Sequence, residues 1–357
     1  MRSGTHNAIT DVDGVRVGHA TRDEPGWLTG VSVIVPPVGT VGGVAVRGGG
    51  PGTRETDLLD PRHRVDALDA VVLSGGSAFG LGTADGVMAA LAAEGRGWPV
   101  GEPGQVVPIV PTAIVFDLGR AGTWLHHPGP SDGRAAYDAA TAGPVDEGGV
   151  GAGTGAQSGG LKGGVGSASA VLDDGTTVGA YVVVNAVGST MLPDGSLRGA
   201  HALLPDELAL PTPRPHAVSA YWEEVAARRA AMEQAMTEQT SDQGAGEGLT
   251  PGTATTIGVV ATDATLTKAE CATLAGIAHD GLARAISPVH TSFDGDTFFA
   301  LATGARPAPS PFGLLDLQVA AADCVTRAIV RAMIAATSVD RSADGGIAMP
   351  SYRDALT

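Results

Sequence analysis

Gly252-Thr253-Ala254-Thr255-Thr256-Ile257-Gly258-Val259-Val260-Ala261-Thr262 follows directly on a polar, small-residue run, Glu238-Gln239-Thr240-Ser241-Asp242-Gln243-Gly244-Ala245-Gly246-Glu247-Gly248. Two hydroxyl residues lead straight into a β-branched apolar segment, Thr256 to Thr262, that reads as a strand. A nucleophile that is to become a chain terminus needs this arrangement, with rigid strand on one side and slack chain on the other. Residues 238–252 are therefore expected to form a flexible linker. If the Ala254–Thr255 bond breaks, Thr255 gains a free α-amine with a pKa of roughly 7.7–8. That amine can take the hydroxyl proton, so nucleophile and general base share one residue. The β-branched side chain restricts χ1 and holds the hydroxyl in place.

The stretches on either side define the fold class. Val31 to Val35, Val41 to Val46 and Ala70 to Leu73 read as strands, and Ala8 to His19 as a hairpin about Asp13-Gly14. Val106 to Asp117 is a strand interrupted by proline. Ser167 to Leu172 and Thr177 to Val184 form a hairpin about Asp173-Asp174-Gly175. Helical periodicity marks about Thr83 to Ala93, Ser131 to Thr141, Tyr221 to Met236, Lys268 to Ile286 and Leu314 to Thr337. The last is apolar nearly all round and is expected to be buried. Strands joined mostly by hairpins, with helices long enough to cover a sheet, suit antiparallel sheets stacked between helical layers. No 20–50-residue repeat and no proline-rich hinge divides the chain.

Composition narrows the function classes. With 22 Lys and Arg against 38 Asp and Glu, the formal net charge is −16, which argues against nucleic acid or an anionic membrane surface as the main partner. The chain is 43% hydrophobic with 53 glycines and 4% aromatics, so the core must rest on Ala, Val, Leu and Ile with close backbone approach at Gly. Cys271 and Cys324 lie in helical patterns and read as buried small hydrophobes. No apolar h-region opens the chain, and no charge-free run nears the ~20 residues of a membrane span. A soluble, cytoplasmic protein is expected.

Several chemistries fall away on spacing. Gly75, Gly76, Gly80 and Gly82 follow a strand and precede a helix, yet do not make G-x-G-x-x-G. Gly75-Gly76-Ser77-Ala78-Phe79 lacks the flanks of a nucleophile elbow. His290 with Asp294 and Asp296 is the only local metal-like cluster, without His-x-x-x-His or CxxC, and no metal is expected. The loop Arg47-Gly48-Gly49-Gly50-Pro51-Gly52 either points N–H groups at an anion or turns the chain. Lys162, in a loop of small residues, is either an exposed lysine or a cation set beside the nucleophile. Asn185, at the end of an apolar strand, either caps the strand or donates to a reacting carbonyl. Asp294 and Asp296 could orient the amine or the lysine.

Six stretches together resemble the L-aminopeptidase/D-esterase (DmpA-like) peptidases, a family that includes β-peptidyl aminopeptidases and the nylon-oligomer (6-aminohexanoate-oligomer) endohydrolase. They are Ile9-Thr10-Asp11-Val12-Asp13-Gly14-Val15-Arg16-Val17-Gly18-His19, Leu73-Ser74-Gly75-Gly76-Ser77-Ala78-Phe79-Gly80-Leu81, Gly151-Ala152-Gly153-Thr154-Gly155 with Lys162, Val183-Val184-Asn185-Ala186-Val187-Gly188, Thr255-Thr256-Ile257, and His290-Thr291-Ser292-Phe293-Asp294-Gly295-Asp296-Thr297. The resemblance spans nearly the whole chain. It implies an α/β (α+β) fold of the Ntn-hydrolase type, a four-layer αββα sandwich in one domain, 1–357. It also implies self-cleavage into an α chain 1–254 and a β chain 255–357, assembled as homotetramers or similar oligomers.

The resemblance further implies Thr255 as nucleophile, Lys162 as its cationic neighbour, Asn185 as oxyanion donor, and Asp294 and Asp296 as the acidic pair of the nylon-hydrolase branch. Gly75, Gly76, Ser77 and Phe116 are candidates for the substrate and oxyanion loop. No cofactor is implied. The expected activity is hydrolysis of peptide-like amides through an acyl-enzyme, on a small peptide or amino-acid oligomer, with no nucleic acid and no membrane. Two positions depart from the family pattern: Ala254 stands where relatives carry Asn or Gly, and Phe116 where some place a Tyr. The alternatives are an acyltransferase of the ornithine-acetyltransferase type and an uncleaved, non-catalytic oligomer. Substrate choice is expected to lie in loops such as 120–150 and 190–220.

Overall fold

The apolar run that begins at Ile257 becomes the middle strand of a five-stranded sheet in the computed structural model, which describes residues 1–205, 207–242 and 254–357. Its side chains alternate as a strand requires. Ile257, Val259 and Ala261 enter one core, while Val260 and Ala264 enter another. A strand buried on both faces needs a layer on each side, and the rest of the chain supplies them.

In chain order the sheet strands are β1 (Arg16–Arg22), β2 (Thr29–Val35), β3 (Val41–Val46), β4 (Thr53–Arg54), β5 (Val71–Ser74), β6 (Thr112–Ile114), β7 (Gly164–Val171), β8 (Thr177–Val184), β9 (Ile257–Ala264) and β10 (Thr297–Arg306). The main helices are α1 (Thr83–Ala93), α2 (Pro130–Asp138), α3 (Pro215–Asp242), α4 (Lys268–Ala285) and α5 (Pro311–Ala335). One sheet runs β7-β8-β9-β10-β3 and the other β1-β2-β5-β6-β4. Each is antiparallel except at one pairing, β9 with β10 and β5 with β6. Those parallel pairs are the ones joined through a helix, α4 and α1, as a parallel crossover demands.

The sheets face each other across Ile34, Val71 and Leu73 on one side and Val165, Tyr181, Val183, Val259 and Phe299 on the other. Helices α4 and α5 cover the outer face of the first sheet, and α1 and α2 that of the second. The fold is thus an αββα sandwich of mostly antiparallel sheets. Its layers approach closely where side chains are missing: a Cβ on Gly166 of β7 would lie 1.9 Å from the Ala328 carbonyl of α5. Helix starts carry their own signals. Thr267 and Glu270 form a capping box on α4, and Ser310 accepts the Gly313 N–H ahead of Pro311 on α5.

Local reading missed at three places. Only the second arm of the expected Ala8–His19 hairpin is a strand. Ile9–Asp11 is a 3-10 turn whose Ile9 N–H goes to the Ser167 hydroxyl, so tertiary contact replaced the first arm. Helix α3 runs on to Asp242, into the first residues of the expected linker; residues 243–252 of that linker lie outside the described residues. The start of α5 is not buried: Leu315 and Val319 are 52% and 50% exposed, as is Phe312 just ahead of the expected helix at 79%, because this end of α5 lies by the Asp173–Asp174 turn beyond the ends of β7 and β8. Both cysteines are free and buried. Among the described residues no helix is long and apolar enough to cross a membrane.

Candidate active site

Thr255 is fully buried, two residues ahead of β9, where four segments converge. Its backbone N–H donates to the Asn185 carbonyl at 2.5 Å, just beyond the end of β8. Its Oγ1 donates to the Ala254 carbonyl oxygen at 2.6 Å. The Gly295 N–H reaches that same oxygen at 3.2 Å. The carbonyl that precedes the threonine is thus polarised by two donors, one of them a fixed backbone amide.

The loop from His290 to Asp296 holds this arrangement. Asp296 Oδ1 accepts the Thr256 N–H at 2.8 Å, and Asp296 Oδ2 accepts the His290 N–H at 3.1 Å and meets His290 Nδ1 at 2.8 Å. Asp294 Oδ2 takes the Thr291 N–H at 2.8 Å and the Thr291 hydroxyl at 2.6 Å. Burial holds the Asp294 carboxyl above its ordinary range; the Thr291 hydroxyl works against this and the neighbouring Asp296 charge adds to it. The Gly-rich loop after β3 packs on the same segment, with the Gly50 N–H on the Asp294 carbonyl at 2.9 Å and the Gly49 N–H on that of Thr291 at 3.0 Å. These two amides are spent on the protein's own chain, which favours the turning role for this loop. A Cβ on Gly295 would sit 2.9 Å from Thr255 Oγ1 and 2.5 Å from the Gly50 carbonyl, so only glycine fits between them.

Lys162 lies at 0% exposure, not in an exposed loop. Its Nζ donates to the carbonyls of Gly153 at 2.9 Å and Gly163 at 2.7 Å. Burial, with help from the Arg120 charge and against the pull of Asp117, lowers its pKa to about 7. Lys162 precedes β7, whose Gly164 pairs with Val184, the residue before Asn185. The Asn185 side chain is equally enclosed. Its Oδ1 accepts from Arg120 Nη1 at 2.7 Å and from the Gln157 N–H at 3.1 Å, and its Nδ2 donates to the Phe116 carbonyl at 3.3 Å. Phe116 therefore meets Asn185 through its backbone, while its ring tilts against Trp124 at 6.0 Å.

The strand-to-helix loop joins through Asp117. The Gly76 N–H donates to Asp117 Oδ1 at 2.7 Å, the Gly75 N–H to the Gly30 carbonyl at 2.9 Å, and the Ser77 N–H to the Val115 carbonyl at 3.0 Å. All three amides thus have partners within the protein. Asp117 is buried and its pKa is raised by that burial. Arg120 and Asp117 have no periodic signal in the sequence; the one hint was a charge-bearing segment directly after a buried strand. Among the described residues, no group of three or more His, Cys, Asp or Glu could hold a metal ion.

Behind His290 lies His279 of α4, its ring 4.8 Å from that of His290 and 5.1 Å from that of Phe298, with Nε2 at 3.0 Å from the Ala45 carbonyl. Burial lowers its pKa to about 4; the Ala45 carbonyl and the Asp296 charge oppose this, while His290 and Arg47 add to it. The unfolded chain binds this proton near 6.5 and the folded chain only near 4. Stability is therefore full above about pH 6.5 and is lost as pH falls toward 4, by about 3 kcal/mol from this group. His279→Gln should flatten that acid limb in denaturant melts taken from pH 7 to pH 4. An unchanged limb would assign the acid sensitivity elsewhere.

Comparison with known proteins agrees with the geometry. A model of peptidase family S58 matches residues 7–345, and the chain belongs to that family. It is 46% identical to an uncharacterized aminopeptidase of Mycobacterium leprae (strain TN), over 93% of this chain and 91% of that protein. It is 30% identical to the 6-aminohexanoate-oligomer endohydrolase of Kocuria sp. (strain KY2), over 87% and 79% of the two chains. Among solved structures it resembles a Burkholderia sp. β-aminopeptidase with a TM-score of 0.70 at 26% identity, covering 99% of this chain and 94% of that one. The L-aminopeptidase D-Ala-esterase/amidase of Ochrobactrum anthropi, a variant among the Ntn hydrolase fold, matches with a TM-score of 0.67 at 26% identity, over 98% and 92%. The chain is accordingly a hydrolase of peptide or amide bonds with an Ntn-hydrolase fold, as the six motifs implied.

Proposed function

We propose that this hydrolase activates itself by cutting between Ala254 and Thr255 and then uses Thr255 as an N-terminal nucleophile on peptide-like amides. The observation that carries the reading is the pair of donors on the Ala254 carbonyl, Thr255 Oγ1 at 2.6 Å and the Gly295 N–H at 3.2 Å. As Oγ1 attacks the Ala254 carbonyl carbon, negative charge grows on the oxygen that Gly295 already faces. The C–N bond breaks, the hydroxyl proton passes to the Thr255 nitrogen, and an ester links Ala254 to Oγ1. Water then releases Ala254 as a carboxylate. The freed amine keeps the Asn185 carbonyl as its acceptor, which orients it beside its own hydroxyl.

In turnover the same oxygen attacks a substrate carbonyl and the amine takes the proton. Asn185 Nδ2 donates to the developing oxyanion. Lys162, with its pKa near 7, is read as the nucleophile's cationic neighbour, charged below neutrality and a neutral amine above it. Asp296 holds residue 256 and His290 in place, and Asp294 braces the loop that presents Gly295. Relatives named as aminopeptidases and as a 6-aminohexanoate-oligomer endohydrolase support short peptides or amino-acid oligomers as substrates. The αβ units are read as a homotetramer on the family resemblance, and as cytoplasmic because the two cysteines are free and buried, which fits a reducing compartment.

Intact-mass measurement of the purified protein tests the cut directly. Two polypeptides, 1–254 and 255–357, are expected, the shorter beginning Thr255-Thr256-Ile257. A single full-length species that still hydrolyses amides would overturn the reading.

A further inference from the structure

We propose that Arg120 is a positioning residue for catalysis: its guanidinium holds Asn185 Oδ1 and thereby turns Asn185 Nδ2 toward the carbonyl that Thr255 attacks. The proposal rests on the reading of Thr255 as nucleophile and Asn185 as oxyanion donor.

A primary amide offers an oxygen on one side and two N–H groups on the other, and nothing in the Asn side chain itself decides which faces the reaction. Arginine has donors only. The Asn185 atom 2.7 Å from Arg120 Nη1 must therefore be oxygen, and the Gln157 N–H at 3.1 Å makes the same demand. With Oδ1 doubly anchored, Nδ2 is left on the far side. One of its hydrogens meets the Phe116 carbonyl at 3.3 Å, and the other serves the oxyanion. Arg120 is itself held in place. Nη1 also donates to the Gly155 carbonyl, the Ile347 N–H sits on the Arg120 carbonyl at 3.0 Å, and the Asp117 charge lies nearby. The fork is planar and stiff, which suits it to fix a neighbour's orientation where lysine would not. Phe116 brings no hydroxyl to this side, so the aim of the single amide matters more.

Arg120 has a second effect that a merely structural residue would lack. Its positive charge helps to hold the Lys162 ammonium down, after burial and against Asp117. Removing it should move the Lys162 titration upward.

The test uses full-length protein, an amino-acyl p-nitroanilide as probe, and the variants Arg120→Gln, Arg120→Lys, Asn185→Ala and their doubles, compared at matched folded fraction by melting. A lost oxyanion donor costs roughly 10²–10³ in kcat, so a donor left in place but unaimed should cost roughly 10- to 100-fold. Arg120→Gln should lower kcat by that factor with KM within roughly threefold, and shift the acid limb of kcat/KM upward from near pH 7. In the Asn185→Ala background the same substitution should cost little, because the group it aims is gone. Arg120→Lys, which keeps the charge without the fork, should lose kcat while leaving the limb in place. It carries the comparison if Arg120→Gln does not fold. For a variant that matures slowly, rates are expressed per mature 255–357 fragment, and if the anilide is not turned over a 6-aminohexanoate oligomer replaces it as probe.

Unchanged kcat, a raised KM at unchanged kcat, or full additivity with Asn185→Ala would overturn the role of Arg120. Those results would leave Thr255 untouched if Thr255→Ala is inert in the same assay. An active Thr255→Ala protein would instead remove the reading beneath the proposal.

Discussion

Thr255→Ala is expected to abolish both maturation and turnover, leaving a single full-length chain and lowering kcat by roughly 10⁴-fold or more, the scale on which hydrolases respond to loss of their nucleophile. The loss has a double origin. Without Oγ1 nothing attacks the Ala254 carbonyl, so the α-amine that would act as base never forms. The fold should survive, because the Thr255 N–H to the Asn185 carbonyl and the Gly295 N–H to the Ala254 carbonyl are both backbone contacts. Thr255→Ser keeps the oxygen and should restore both activities in part, since the unbranched side chain samples more χ1 states. Thr256 separates the neighbouring hydroxyl from the reacting one. Its backbone N–H is committed to Asp296, but its Oγ1 has no hydrogen-bond partner among the described residues. Thr256→Val should therefore still be cut before residue 255. Gel mobility and N-terminal sequencing of the three variants decide between the two threonines, and a cut in Thr255→Ala would remove the proposed chemistry.

Glu207→Ala should destabilise the fold by about 3–5 kcal/mol, the range for breaking a buried ion pair from one side. Arg327 is an arginine inside α5, and the paired side chains are 0% and 2% exposed. Its Nε and Nη2 donate to Glu207 at 2.7 and 3.0 Å, Nη2 also to Asn7 Oδ1 at 2.6 Å, and Nη1 to the Ser169 carbonyl at 2.8 Å. Asn7 Nδ2 closes the ring on Glu207 at 2.7 Å. This one guanidinium ties the N-terminal segment, β7 and the 203–214 connection to α5. Burial works to raise the Glu207 pKa, but the Arg327 hydrogen bonds and charge overcome it and hold the carboxyl below its ordinary range. Removing the carboxylate strands the cation in a dry site. The midpoint of thermal unfolding should fall by roughly 4–8 °C. Arg327→Met with Glu207→Leu should cost much less than either single change, since no charge is left unpaired. A double variant as unstable as Glu207→Ala would show that lost packing, not the stranded charge, sets the cost.

Most elements were legible because their signals are local. β-branched apolar runs marked β2, β3, β8 and β9, and the helices α1, α4 and α5 carried the 3.6-residue period, α4 and α5 with a cap or proline at their starts. The failures were also physical. Ile9–Asp11 alternates like a strand but is drawn into a turn by the Ser167 hydroxyl, a contact 158 residues away that no local pattern encodes. Phe312, Leu315 and Val319 have the composition of a buried helix but belong to the end of α5 that lies by the β7–β8 turn.

The site divides in the same way. Sequence alone determined which chemistry-bearing residues to watch, because the order of six motifs selects Thr255 over Thr256 and brings Lys162, Asn185, Asp294 and Asp296 into one hypothesis. It did not reach Arg120 or Asp117, and it weighed His290 only as a metal-like neighbour of Asp294 and Asp296, because these roles depend on what the side chains face in the folded chain. Only the tertiary structure decided that Lys162 is dry and so poised near neutrality, that Asn185 is gripped by a guanidinium, and that Gly295 aims an N–H at the carbonyl before Thr255. Residue types limit which reactions a chain can perform. Distances, burial and the direction of an N–H exist only once the strands that carry them have been paired.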